Sequence, residues 1–384
     1  MVVTDNIRYL YNRVEVASKL YDKAKNKDEK MALLNYINNL YISIGAVSNY
    51  PVDYKKRKIF KDHKNRKFLI KNFDLYSNKM LDNYILNKNY HRFILEGAMD
   101  NVEELLFVDD FVEVENNTRK TLSEGEFYSA FYEFMQSLKL EELFNKYCSN
   151  KKIFSTHNRG DNCFGFTIFN PIIKDSDVFI TDFNYDIKSF VTLAHEFGHV
   201  YDLDNFLGSA GEYNTYSYQS FYQEVISRLF ERLSLDYLMK NNILVNDTKE
   251  EFFSFLFTNY DFLFQSYIYT LFDDVYLDSI NSVSREILYD QIKDYFVEEE
   301  VIKDFMFDKN IVFDLFRDTN YAYGDIISLY LKNVVLKEGL SSDEMNYYFN
   351  MRGKMFDTNY FDKIGYTEKV FQDYYNDEVK LLKK

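Results

Sequence analysis

The chain has 384 residues, 46% of them apolar, and a formal net charge of −15. That length and apolar content suffice for a sizeable core, while the acidic balance argues against a general affinity for nucleic-acid phosphates or anionic membrane surfaces. With 12 Gly, 2 Pro, 35 Tyr, 37 Phe and no Trp, the chain is too sparsely punctuated for a turn-rich sandwich or barrel, and long helices are expected.

In chain order, the first hundred residues read as helical. The opening MVVTDNIRYLYNRVEVASKL is amphipathic and lacks the continuous apolar core of a secretory signal. Leu33, Leu34, Ile37, Leu40 and Tyr41 recur at one-face helical spacing after Asp28 and Glu29. A basic run, KKRKIFKDHKNRK (55–67), follows Pro51 and reads as a solvated face in so acidic a chain. Residues 106–118 end in Asn-Asn and suit a domain junction. Ser123 and Glu126 form a capping-box pattern at the head of a further helix. The strand-like stretches are KIFSTH, CFGFTIF and DVFITDF between residues 152 and 183, rich in Ile, Phe, Val and Thr. From Asp186 the pattern returns to helix and stays largely so to Lys384. No run approaches the ~18 uncharged apolar residues of a membrane span. The two cysteines, Cys148 and Cys163, do not form a disulfide framework pattern and suit a reducing compartment. A soluble, cytoplasmic protein is expected.

Residues 190–200, FVTLAHEFGHV, carry the chemistry. His195 and His199 lie four apart, so on a helix their imidazoles share one face and can hold one Zn²⁺, with room for a third ligand and water. Glu196, beside the first of them, can reach that water as general base. The apolar Phe190, Val191, Leu193 and Ala194 fit a buried helix. For the third ligand, a metzincin continuation would need Gly and His where Asp202 and Asn205 stand. A thermolysin-like spacing falls on Tyr218, Gln219 and Ser220. Glu212 lies in a Gly/Ser/Asn-rich loop pattern, GSAGEYNTYS, that would hold a ligand poorly. Glu224, in the amphipathic QSFYQEVISRLFERL, is better placed.

These elements resemble the oligoendopeptidase F and thimet-type oligopeptidase family. HEFGH (195–199) is followed after 24 residues by EVIS (224–227), as in the family pattern. The resemblance implies zinc ligands His195, His199 and Glu224, with Glu231 a candidate partner for a ligating imidazole. NRGDNCFGF (158–166) and DVFITDFNYDIKSFVTLAHE (177–196) look like the family's Gly-rich hairpin, strand and lead-in to the active-site helix. NYAYGDIISLYLKNVVL (320–336) resembles its tyrosine-rich helix and makes Tyr321 and Tyr323 candidate oxyanion donors. One departure is the absence of any His after His199, where the family carries one shortly before those tyrosines.

The expected architecture is mainly α: a helical zincin-like metallopeptidase with a small β-sheet beside the active-site helix. An N-terminal helical region (1–105) would precede a catalytic domain (106–384). The expected activity is zinc-dependent endopeptidase action on short peptides, an extended substrate pairing as an added strand near Phe179–Thr181. The alternatives are another zinc hydrolase, such as an exopeptidase, and a non-catalytic zinc-binding protein. Neither a nucleic-acid nor a membrane partner is expected, and the sequence leaves the oligomeric state open.

Overall fold

Local signals and long-range packing agree along most of the described residues. A computed structural model of the protein describes residues 6–25, 92–100, 120–156, 165–170, 175–210, 222–271, 311–352 and 368–382, with 29, 30, 32–34, 36, 37, 40, 44, 360 and 364. The basic run at 55–67 and the junction at 106–118 fall outside these residues, as does the domain boundary near residue 105. Helix α1 spans Asn6–Lys23; after it come α2 (Glu124–Ser137) and α3 (Glu141–Ser149). Strands β1 (Ile153–Thr156), β2 (Gly165–Asn170) and β3 (Asp175–Thr181) follow. The described elements after β3 are helices: α4 (Ile187–Ala210), α5 (Val225–Lys240), α6 (Val245–Leu271), α7 (Ile311–Glu338), α8 (Asp343–Arg352) and α9 (Glu368–Leu382).

The capping box forms as read. Ser123 Oγ accepts from the Glu126 amide at 3.3 Å, and Glu126 Oε2 accepts from the Ser123 amide at 2.9 Å. Two otherwise orphaned N–H groups are thereby satisfied at the start of α2. Helix α2 then buries Phe127, Phe131, Phe134 and Met135. Phe131 lies 5.0 Å from Phe190 and 5.7 Å from Phe197 of α4, while Phe144 and Tyr147 of α3 reach Phe197 at 5.6 and 5.5 Å. Each such ring contributes about 1.5–3 kcal/mol on burial. Because Phe197 is locked into this aromatic cluster, α4 is fixed in rotation, and His195 and His199 turn toward α5.

The sheet has the order β1-β3-β2, with β1 parallel and β2 antiparallel to β3. β3 is therefore the central strand, and its apolar run is covered on both faces, as its lack of alternation implies. This corrects the expectation that residues 179–181 offer a peptide-pairing edge. Both flanks of β3 are taken by its neighbours, and the outer strand packed against α4 is β2.

Period-two alternation gives each strand two roles. Phe154, Phe166 and Phe179 stack on the face toward α1, with centroids 4.8 and 4.7 Å apart, and Tyr9 of α1 adds a contact at 4.6 Å. Tyr9 donates to Asp177 at 2.9 Å, and Arg13 lies 3.5 Å from the same carboxylate. Val178, Ile180 and Ile153 point the other way, into the main helical core.

A buried charged cluster ties the C-terminal helices to α5. Arg232 pairs with Asp325 of α7 and Glu378 of α9. Lys332 also reaches Glu378 at 3.1 Å, and Tyr375 donates to Asp325 at 2.6 Å. Among the described residues no helix is long and apolar enough to cross a membrane.

Candidate metal centre

The His195 and His199 side chains project from one face of α4 onto the start of α5. Their Nε2 atoms are 3.1 Å apart, and each lies 3.4 Å from Glu224 Oε2. Two donors about 2.0–2.1 Å from a tetrahedral zinc would be about 3.3 Å apart. The triangle therefore has the dimensions of three legs of a tetrahedron. It is also the single group of three potential ligands found among the described residues. Two imidazoles and a carboxylate are suitable zinc donors, so these residues fit the ion that the motif implies. Glu212 falls outside the described residues.

Glu224 is the N-cap residue of α5 rather than part of an unbroken helix. The amphipathic pattern runs through this boundary, so sequence periodicity alone did not reveal it. Several contacts hold the cap. Ser227 Oγ lies 2.7 Å from Glu224 Oε2 and 3.0 Å from its carbonyl oxygen. Asn320 of α7 accepts from the Gln223 amide at 2.9 Å, and Tyr348 of α8 donates to the Tyr222 carbonyl at 3.0 Å. Gly324 lets α7 approach: a Cβ there would stand 3.0 Å from Glu224 backbone atoms. The glycine of HEFGH does the same for α4 and α5, since a Cβ on Gly198 would lie 2.6 Å from Ser227 Cα.

The imidazoles are oriented from behind. His195 Nδ1 is 2.6 Å from Glu231 Oε1, and the other oxygen of Glu231 pairs with Arg228. With Nδ1 donating to Glu231, His195 turns the lone pair of Nε2 toward the centre of the triangle. Arg228 lies over Phe255 at 4.2 Å and is buried. The sequence pointed to Glu231; Arg228 has no signal there, because an Arg on a helix normally reads as surface.

Electrostatics among these side chains follow from proximity. Burial alone would lower the pKa of His199, but the Glu224 carboxylate outweighs it and pushes the imidazole up to about 9. Glu224 is opposed by burial yet held down to about 2 by His199. Burial raises the carboxyl of Glu196. Glu231 stays below its ordinary value against burial, chiefly because of Arg228 and then His195.

Glu196 is 2% exposed, and its Oε2 lies 2.7 Å from Thr167 Oγ1 of β2. Tyr321 stacks on Phe262 at 4.4 Å. The negative charge of Glu224, then burial, push its hydroxyl well above the usual tyrosine range, so it stays protonated. Tyr323, two residues on and on a different side of α7, is 1% exposed within the apolar core.

No family model matches the chain, and no curated protein matches it. Three solved structures are similar to the chain at low identity. An oligoendopeptidase F from Bacillus anthracis str. Ames is 14% identical with a TM-score of 0.46, covering 93% of this chain and 64% of its own. PZ peptidase A with an inhibitor is 12% identical with a TM-score of 0.48, covering 96% and 67%. A second oligoendopeptidase F structure is 14% identical with a TM-score of 0.46, covering 91% and 64%. The chain thus spans about two thirds of the length of these proteins. At such values the likeness adds nothing to the chemistry, which rests on the site.

Proposed function

We propose that the protein is a zinc-dependent endopeptidase acting on short peptides, with His195, His199 and Glu224 as ligands and Glu196 as general base. The observation that carries this reading is the donor triangle of 3.1, 3.4 and 3.4 Å with a buried carboxylate beside it. A site that only stored metal would have no use for that carboxylate.

When bound, the zinc ion supplies Lewis acidity, acidifying water and stabilising negative charge. The protein's part is positional. Glu231 fixes the His195 ring, and Ser227 fixes the Glu224 carboxylate. Glu196 takes a proton from the attacking water and returns it to the leaving amine, so one carboxylate serves both halves of amide hydrolysis. Tyr321, kept protonated beside Glu224, donates a hydrogen bond to the oxygen on which charge develops. Tyr323 is the weaker candidate for that donor, because its ring is part of the core.

Glu196→Gln tests the assignment. The variant should hold zinc as the wild type does and lose nearly all turnover, since the amide cannot accept the proton. Near-normal hydrolysis would remove Glu196 from the mechanism. Cleavage of peptides blocked at both ends separates endopeptidase from exopeptidase action.

A further inference from the structure

Glu196 is held by a strand as well as by its own helix. Alternation along β2 directs Phe166 and Ile168 toward the α1 side, while Gly165 and Thr167 face α4. Thr167 Oγ1 lies 2.7 Å from Glu196 Oε2 and 3.2 Å from the Glu196 carbonyl oxygen. Two residues earlier, a Cβ on Gly165 would stand 2.7 Å from Glu196 Oε1 and 2.9 Å from Thr192 Cγ2. No positive φ accounts for that glycine; the space is taken by the carboxylate. One oxygen of Glu196 is thus bonded by the Thr167 hydroxyl, and the other is packed against the bare backbone of Gly165.

We infer that Thr167 is a positioning residue for the hydrolytic reaction. Its hydroxyl fixes the rotamer of the Glu196 carboxylate by engaging one of its two oxygens. This rests on the reading of Glu196 as base and adds a consequence to it. Two residues of one strand, Gly165 and Thr167, thus bear on the same carboxylate. Gly165 provides the room for this arrangement, and Thr167 provides the hydrogen bond. A Thr hydroxyl has a single proton, and 2.7 Å against 3.2 Å assigns it to the carboxylate rather than to the helix carbonyl.

The test compares Thr167→Val, which keeps the shape and removes the hydroxyl, with Thr167→Ser, which keeps the hydroxyl. Both are measured as zinc-loaded protein on one quenched-fluorescence peptide, with zinc content and thermal midpoint in parallel. Thr167→Val should lower kcat by about 10- to 100-fold, the equivalent of one hydrogen bond to a charged group. KM and zinc content should change little, and Thr167→Ser should stay within about threefold of wild type. In a Glu196→Gln background, Thr167→Val should have no further effect, because the hydroxyl acts only through that carboxylate. Should Val lower the thermal midpoint, Thr167→Ala replaces it in the same comparison with the same expected loss. Unchanged kcat in Thr167→Val, or an equal fall in the Val and Ser variants, overturns the inference. The base reading fails separately, through a Glu196→Gln variant that keeps its turnover.

Discussion

Gly198→Ala isolates how closely two helices must approach for the site to exist. In the interior of α4, replacing Gly by Ala should by itself favour the helix by about 1 kcal/mol. The added methyl, however, would stand 2.6 Å from Ser227 Cα and 2.8 Å from the Ile226 carbonyl oxygen. Both are backbone atoms that cannot rotate away. Reaching an ordinary contact of 3.4 Å requires α4 and α5 to part by 0.8 Å, the difference between 3.4 and 2.6 Å. Overpacking of this kind costs about 1–3 kcal/mol, so the net loss of stability is small, at most about 2 kcal/mol. The proposed metal site is less forgiving. His195 and His199 sit on one helix and Glu224 at the start of the other, and metal–ligand distances tolerate only about ±0.2 Å. A separation four times that tolerance should weaken zinc binding by at least tenfold, read by competition with a chromophoric chelator. Gly125→Ala is the control: nothing lies within 4 Å of a Cβ there, so helix stability should rise by roughly 0.5 kcal/mol with zinc affinity unchanged. Wild-type zinc affinity in Gly198→Ala would refute the reasoning.

Further predictions concern residues around the triangle and one remote from it. Glu231→Ala, which removes the orienting bond on His195 Nδ1, and Arg228→Met, which releases the Glu231 carboxylate that makes it, should each weaken zinc binding by about 10–100-fold; unchanged affinity in chelator competition would separate that pair from the site. Tyr321→Phe should lower kcat by about 10²–10³ with little change in KM, whereas Tyr323→Phe should at most alter stability. Glu378 is opposed by burial but held below its ordinary pKa by Arg232 and then Lys332. Its contribution is therefore fully present above the unfolded value near ~4.3 and lost as the pH falls through the lower folded value. Glu378→Gln should cost about 3–5 kcal/mol at pH 7 by leaving Arg232 short of a partner, and denaturant melts should show the gap to wild type narrowing below pH ~4.

What the sequence made legible is what short-range spacing encodes. His195 and His199 one turn apart, the Ser123–Glu126 cap and the three β-rich stretches needed no knowledge of partners. The 24-residue interval to Glu224 was informative through its likeness to a known pattern. Features that depend on distant chain were hidden. The place of β3 between β1 and β2 is set by one parallel and one antiparallel pairing, and no local signal in VFIT distinguishes a central strand from an edge. Thr167 and Gly165 acquire meaning only because α4 packs against β2. Asn320 matters through the amide of Gln223, 97 residues away. The helical start of the chain likewise gave no hint that Tyr9 and Arg13 would meet Asp177 on the sheet.

The central claim is that zinc at His195, His199 and Glu224 makes this protein a peptidase. Protein stripped with chelator should be titrated with Zn²⁺ while hydrolysis of a short, doubly blocked, internally quenched peptide is followed. Activity should be absent at the start, rise linearly and reach its plateau at about one zinc per chain, with Glu224→Ala failing to respond at the same concentrations. Full hydrolysis by the stripped protein, or one tightly bound zinc with no cleavage of any peptide in a mixed short-peptide library, would contradict the account.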